Sequence, residues 1–272
     1  MLAAALLLPS LLPGGAAPPA GAVELKAPRV EYRVNEASAT RSPWIDANGW
    51  QILRTPGQRF VYKVNGQSAA LAAAEAFTYG AGALISTDGP GELAFGRMLE
   101  FLKSVPAAEL TPAADFGVID DGTDVTGELL NLLTRMNLLY KIEKNPDRNF
   151  AVNVRLGTAS YPADEARNPS FVAHKIRSQI GDDNRSLRIY GSEVVVGRLL
   201  KGDHQARVFL LNYADRPVLG LRVRVRGTYG KAELHAYGAT TEQPADFTHD
   251  EVATEFSIPE LHAFAVIDLS RN

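Results

Sequence analysis

The stretch Val218-Leu219-Gly220-Leu221-Arg222-Val223-Arg224-Val225-Arg226 decides the fold class. Leu219, Leu221, Val223 and Val225 alternate with Gly220, Arg222, Arg224 and Arg226. Successive side chains of a strand point to opposite faces, so a period of two with one apolar face marks a strand lying half on a core. The neighbouring segments 187–200, 206–213, 232–237, 252–258 and 263–269 read as strands too, and 218–227 completes the set. Turn signals such as Gly202-Asp203 and Asp215-Arg216-Pro217 separate several of them. Six strands with short links predict an antiparallel β-sandwich over 185–272.

Upstream the pattern alternates between strand and helix. Residues 25–65 read as extended: Val30, Tyr32 and Val34 alternate with polar neighbours, and Phe60-Val61-Tyr62-Lys63-Val64 follows the turn signal Pro56-Gly57. Residues 67–80 form an Ala-rich helix with Leu71, Ala74 and Phe77 at helical spacing, stopped at Gly80. Glu75, inside that helix, is expected on the surface. A short strand at 83–86 precedes the break Gly89-Pro90-Gly91, and a second helix carries Phe95, Met98, Leu99, Leu102 and Val105 up to Pro106. This β-α-β-α order is the unit of a parallel sheet with helical crossovers, and it sets one segment at 23–105. A Pro/Ala linker at 106–114 leads to a second unit at 115–184. There Phe116-Gly117-Val118-Ile119 is a buried-type strand, and a helix carries Leu129, Leu132, Leu133 and Met136. Asp124 or Thr123 can cap that helix, and Asn137 tolerates the left-handed conformation that ends it. Strands at 138–142 and 152–156 and a helix at 170–180 complete a small Rossmann-like, three-layer α/β region without a glycine fingerprint. The expected class is therefore α/β plus all-β.

Composition narrows the function classes. With 272 residues the chain is long enough for two domains at roughly 150 residues each. The net charge of −3 gives no reason to expect nucleic acid, whose binding rests on concentrated basic charge. The absence of cysteine excludes disulfides, thiolate metal sites and thiol nucleophiles. Residues 1–22 combine a Leu/Ala run with Ala20-Gly21-Ala22, the pattern of a signal peptide cut after Ala22, although no basic n-region precedes it. The expectation is a secreted or periplasmic protein; a disordered Ala/Pro tail is the other reading. The run is too short and Pro-interrupted to span a bilayer, which takes about 20 apolar residues.

Residues 206–269 resemble the C-terminal β-domain of secreted glycoside hydrolases. The resemblance rests on Val208-Phe209-Leu210-Leu211-Asn212-Tyr213, Pro217-Val218, Phe256-Ser257-Ile258-Pro259-Glu260-Leu261 and Ala263-Phe264-Ala265-Val266-Ile267-Asp268-Leu269. Residues 115–180 are similar to the amidotransferase-like domain between barrel and sandwich in some β-galactosidases, a domain that usually lacks a working nucleophile and helps assembly. Residues 72–85 resemble a late helix–strand step of a (β/α)₈ barrel. Only about 80 residues precede the linker, whereas a full barrel takes about 250. The resemblance thus implies a barrel glycosidase that kept its tail and lost most of its barrel, and it carries over no catalytic residue.

Five acidic residues in three regions are candidates for chemistry. Asp46 sits between Trp44 and Trp50, the only two tryptophans, and Asn48 is close by. Rings flanking a carboxylate suit a sugar, which stacks its C–H faces and bonds its hydroxyls to the acid; the other reading is that the rings plug the core and Asp46 holds a turn. Asp88 follows the strand at 83–86 and can face the same region. Asp120, Asp121 and Asp124 cluster beyond the strand at 116–119, at the edge where open α/β sheets bind ligands. They suit Ca²⁺ or an acid/base pair, or else a solvated turn capping the helix. The stripe Arg222, Arg224, Arg226 suits an acidic glycan, another domain, or simply solvent. The five histidines lack zinc spacing, so zinc is not expected, and Ser192 lacks the hydrolase elbow; no metal ligand is assigned and no cofactor is expected.

These readings lead to an exported, non-catalytic accessory or carbohydrate-binding protein related to glycoside hydrolases. Its ligand-binding residues would be Trp44, Asp46, Asn48, Trp50 and Asp121, and its partner a glycan or an enzyme. The alternatives are a glycoside hydrolase using paired carboxylates among Asp46, Asp88 and Asp120, or a structural oligomerisation module forming homo-oligomers.

Overall fold

A computed structural model describes residues 7–13, 16–35, 40–239 and 242–271, with the side chains of 33–42 left out. Residues 1–6 and 14–15 of the expected leader, and the side chain of Val34, lie outside the described residues.

The first unit runs β1 (Ser10–Leu11), β2 (Val23–Leu25), β3 (Arg29–Asn35), β4 (Thr40–Asp46), α1 (Gly49–Arg54), β5 (Phe60–Lys63), α2 (Ser68–Tyr79), β6 (Leu84–Ser86) and α3 (Gly89–Ser104). Its sheet is wholly parallel, in the order β1-β6-β5-β2. The strands β3 and β4 form a separate hairpin, pairing Arg29 with Asp46 and Asn35 with Thr40. β1 lies inside the stretch read as a leader, so a cut after Ala22 would take one edge strand out of this sheet. The linker adds β7 (Thr111–Pro112), and the second unit follows as β8 (Phe116–Ile119), α4 (Asp124–Arg135), β9 (Tyr140–Glu143), β10 (Asn153–Val154) and α5 (Pro169–Ile180). Its three strands are parallel in the order β10-β8-β9, and Phe116 and Val118 pack with Leu129, Leu133, Val172 and Ile176 of the two helices.

The helix ends follow the expected chemistry. Thr123 caps α4 by accepting the Thr126 N–H at 3.3 Å. Gly80 ends α2 at φ 68°, where the absence of a Cβ removes the steric cost. Asn137 turns the chain out of α4 at φ 54°. Its amide also reaches the sandwich, Nδ2 donating to the Val195 carbonyl at 3.0 Å and Oδ1 accepting the Gly197 N–H at 2.7 Å. Asn137→Gly keeps the turn and loses two buried hydrogen bonds, so it should cost about 2–3 kcal/mol. Asn137→Ala should cost about 1 kcal/mol more, because alanine must also adopt positive φ. Denaturant unfolding of both variants checks the order.

The last unit comprises β11 (Leu187–Tyr190), β12 (Val195–Lys201), β13 (Gln205–Asn212), β14 (Val218–Arg226), β15 (Lys231–Ala236), β16 (Ala245–His249), β17 (Ala253–Leu261) and β18 (Phe264–Ser270). One sheet is ordered β11-β14-β17-β16 and the other β15-β18-β13-β12-β7, all antiparallel. They bury Leu221, Val223, Val225, Phe256 and Ile258 against Val208, Leu210, Ala265 and Ile267. The chain is therefore α/β followed by an antiparallel β-sandwich.

Within 25–65, read as extended, Gly49–Arg54 is helical instead. In the sandwich three details differ from the sequence reading. The expected strand at 187–200 is two strands in different sheets, parted at Gly191, whose φ of 87° turns the chain between them. β16 is an additional strand, bulged between Ala245 and Thr248. Leu219 is 72% exposed rather than inward, because the alternation resets at Gly220. That residue has φ 63°, and the ladder passes from the Leu219–Glu260 pair to Leu221–Ile258, skipping Gly220 and Pro259.

The five-stranded sheet is covered on both faces. Its second face, with Phe209, Leu211, Tyr213, Phe264 and Val266, packs against α2 and α3 in one core with the parallel sheet. Phe209 and Phe264 stack at 6.1 Å, and Phe77 of α2 meets both edge-on at 6.0 and 6.4 Å. A strand buried on two faces reads as a continuous apolar run, which is what 208–211 and 263–267 are.

Candidate functional site

The largest concentration of buried polar chemistry lies on α2. Ala69, Ala70, Ala72, Ala73, Ala74 and Ala76 are all buried, so small side chains let the helix pack closely on every side. Glu75 is consequently not on the surface, where the sequence reading put it, but 0% exposed. A buried carboxylate must find donors. Oε1 accepts the Asn48 N–H at 2.7 Å and the Tyr213 hydroxyl at 2.6 Å; Oε2 accepts Asn48 Nδ2–H at 2.8 Å and the Tyr62 hydroxyl at 2.8 Å. Four donors match the acceptor capacity of an ionised carboxylate. Burial raises the Glu75 pKa above its ordinary value, opposed by the bonds from Asn48, Tyr213 and Tyr62. Burial first, and then Glu75 itself, push the Tyr62 and Tyr213 hydroxyls well above theirs. Asn48 is tied in turn to Lys26, accepting its N–H at 3.2 Å and donating to its carbonyl at 3.0 Å. One carboxylate thus joins the start of α1, β5, α2 and the end of β13. The sequence signal for this was the alanine distribution: a helix small on all faces leaves no solvated face for a charge.

The residues read as candidates occupy separate bonds. Asp46, its side chain 12% exposed, meets Arg29 Nε at 3.4 Å. Asp88 caps α3, accepting the Gly91 N–H at 2.8 Å and the Gly66 N–H at 2.9 Å, and the Gly66 and Gly91 bonds hold its carboxyl below the usual range. Asp120 receives Arg54 in a bidentate pair, Nε to Oδ2 at 2.8 Å and Nη2 to Oδ1 at 2.9 Å. Asp121 accepts the Thr123 N–H, the Thr123 hydroxyl and the Thr126 hydroxyl. Burial raises the Asp121 pKa, but those bonds outweigh it and hold the carboxyl low. Asp124 lies in the first turn of α4, where a negative charge suits the helix dipole.

Both tryptophans meet α4, at different points along it. Arg135, at the end of α4, lies over the Trp44 ring at 3.7 Å from its centroid. Trp50 of α1 lies beside Gly127 of α4, where an added Cβ would sit 3.2 Å from the indole. Arg54 joins the same seam through Asp120 and donates to the Thr123 carbonyl at 2.8 Å. Trp44, Trp50, Arg54 and Asp120 therefore line the contact between the two α/β units.

The Arg stripe faces its own sheet. Arg222 donates to Glu255 Oε2 from Nη2 at 2.7 Å and from Nε at 3.1 Å, and Arg224 Nε lies 3.6 Å from Glu255 Oε1. Arg226 donates to the Asn184 carbonyl at 3.3 Å. Ser192 accepts the Val194 N–H in the turn between β11 and β12. Among the described residues, no group of three or more His, Asp or Glu is placed to hold a metal ion. No helix among them is long and apolar enough to cross a membrane.

An open groove of about 480 Å³ lies outside Tyr213, lined among others by Gln67, Ser68, Asp215, Arg216, Tyr237 and His262. A second, of about 670 Å³, lies at the far end of the five-stranded sheet around Arg207 and Asp268. Neither is lined by Asp46, Asp88 or Asp120.

No protein-family model matches the chain, and no curated protein matches it. Among solved structures, an α-L-fucosidase isoenzyme 2 from Paenibacillus thiaminolyticus superposes with a TM-score of 0.60 at 9% identity, covering 79% of this chain and 61% of that one. A rhamnosidase from Novosphingobium sp. matches with a TM-score of 0.47 at 10% identity, over 92% of this chain and 35% of that one. The chain thus spans less than two thirds of the length of either. At such identity the likeness to the α-L-fucosidase is one of fold, over most of the length of this chain, and no sequence family is shown.

Proposed function

We propose that this protein is a non-catalytic supporting and carbohydrate-binding module of the glycoside-hydrolase architecture, built like the barrel-end, amidotransferase-like and sandwich portions of β-galactosidase-type enzymes. The observation that carries the reading is the commitment of the acids. Asp46 is paired with Arg29, Asp88 caps a helix, and Asp120 is held by Arg54 across the seam between the α/β units. A retaining pair of carboxyl groups stands ~5–5.5 Å apart and an inverting pair ~6.5–9.5 Å, both flanking an open site. Acids engaged one by one in caps and ion pairs, away from the two grooves, serve cohesion. The seam at Trp44 and Trp50 belongs to the same role, joining one α/β unit to the next.

The test is hydrolysis of a panel of aryl α- and β-glycosides by the full chain, with Asp46→Asn and Asp120→Asn alongside. The expected result is no release of aryl alcohol above buffer for any of the three proteins. Turnover by the parent chain that drops at least a hundredfold in either variant would replace this reading with the catalytic one.

A further inference from the structure

The cross-strand register of β15, β18 and β13 builds a polar floor at one end of the sheet face that carries Phe209 and Val266. Glu233 pairs with Asp268 and Asp268 with Arg207; in the next row Lys231 pairs with Ser270 and Ser270 with Gln205. Directly opposed residues share a face, so these six side chains form two adjacent rows. The rows lie beyond Val266 and Phe209, where the sheet leaves the shared core, and Pro106, Ala107 and Ala108 of the linker stand over them. Together they bound the groove of about 670 Å³, with Phe247 on its wall.

Arg207 is the anchor. Its side chain is 2% exposed, and it donates to Asp268 from Nε at 2.6 Å and from Nη2 at 2.7 Å. Its third nitrogen, Nη1, is buried and has no acceptor in the protein. A buried guanidinium donor without an acceptor is costly, and this one belongs to a residue that lines the groove. The surroundings decide what chemistry suits it. Three carboxylates, Glu233, Glu242 and Asp268, oppose an anion, while Arg207 and Lys231 oppose a cation. The polar rows oppose an apolar ligand. A neutral molecule rich in hydroxyl groups suits all of them, because a hydroxyl can accept from a guanidinium or ammonium donor and donate to a carboxylate. Phe247 supplies an apolar surface for the C–H face of a ring.

We propose that this groove at the Arg207 end of the sandwich binds a neutral saccharide. The proposal rests on the carbohydrate-binding reading above and adds the place, the anchoring donor and the charge state of the ligand.

The experiment is NMR titration of the isotope-labelled full chain with D-galactose, L-fucose, L-rhamnose and D-glucose, and separately with sulfate. The expected result is saturable amide shifts at Gln205, Lys231 and Glu233 with at least one sugar, weakened at least fivefold by Glu233→Gln and by Lys231→Ala. Both side chains reach solvent, so both variants should melt with the parent. Shifts confined to other residues, such as those around Trp44 and Trp50, would overturn the groove assignment and leave the broader reading standing. No shift with any sugar would overturn both. Saturation by sulfate with none by sugar would make the groove an anion site and overturn the proposal.

Discussion

Replacing Glu75 with alanine should lower the unfolding free energy by about 3–5 kcal/mol, a large share of the total for a protein of this size. The substitution leaves four buried donors, the Asn48 N–H and Nδ2–H and the hydroxyls of Tyr62 and Tyr213, without their acceptor. Each unmet donor costs about 1–3 kcal/mol, reduced where water enters the space the side chain leaves. Glu75→Gln should cost less, about 1–2 kcal/mol: its carbonyl still accepts from the Asn48 N–H and Tyr213, while its NH₂ confronts the Asn48 amide donor. The two variants also differ in pH response. Burial raises the folded-state pKa of Glu75 above the ordinary 4.5, so the folded state holds its proton more tightly than the unfolded chain. The Glu75 contribution is then most favourable below the ordinary value and is lost as pH rises through the raised one. Asp88, Asp121 and Asp250 have lowered values and act with the opposite slope. Subtracting the pH profile of Glu75→Gln from that of the parent should therefore leave a component that falls with rising pH above 4.5. A flat difference would mean that Glu75 carries no shift.

The second large effect is expected at the seam. Arg54 and Asp120 have side chains 17% and 13% exposed, so the pair is screened far less than a surface bridge. Asp120→Ala should cost about 2–3 kcal/mol, because it strands the Arg54 guanidinium and also removes the acceptor of the Gly122 N–H at 3.0 Å. Arg54→Met strands the carboxylate and should cost a similar amount. The double variant should be more stable than the sum of the two losses implies, by about 1 kcal/mol or more, since each single change already breaks the same contact. Additivity within about 0.3 kcal/mol would deny the pair a cohesive role. A rise in stability on Asp120→Asn would point instead to a functional acid, since groups kept for catalysis commonly cost stability.

The sandwich was legible in the sequence because its inward positions follow the pleat, as at Leu221, Val223 and Val225. Gly220 was the limit of that logic: a positive φ in mid-strand shifts the faces by one, and no period reveals it in advance. The helix α1 was hidden because Gly49–Arg54 spans six residues, under two turns, too few to display a 3.6-residue period. β16 was hidden for a different reason. Ala245–His249 is an edge strand with no fully buried residue, so it lacks an apolar face to alternate. Among the candidate residues, Trp44 and Trp50 each meet the helix α4. What they face is Arg135 and Gly127, some 80 residues further along the chain, a relation that only the packing of the two α/β units creates. Glu75 was read as surface because a glutamate in a helix usually is; the six buried alanines around it were the contrary sign.

The parallel sheet with its helices and the sandwich form one cohesive support, closed by the Glu75–Tyr213 bond on the shared core. Backbone hydrogen exchange of the parent and Glu75→Gln, read residue by residue, tests it most directly. The predicted result is faster exchange in α2 and β5 together with β13 and β18, all of which meet that core. Faster exchange confined to α2 and β5, with β13 and β18 protected as in the parent, would contradict it.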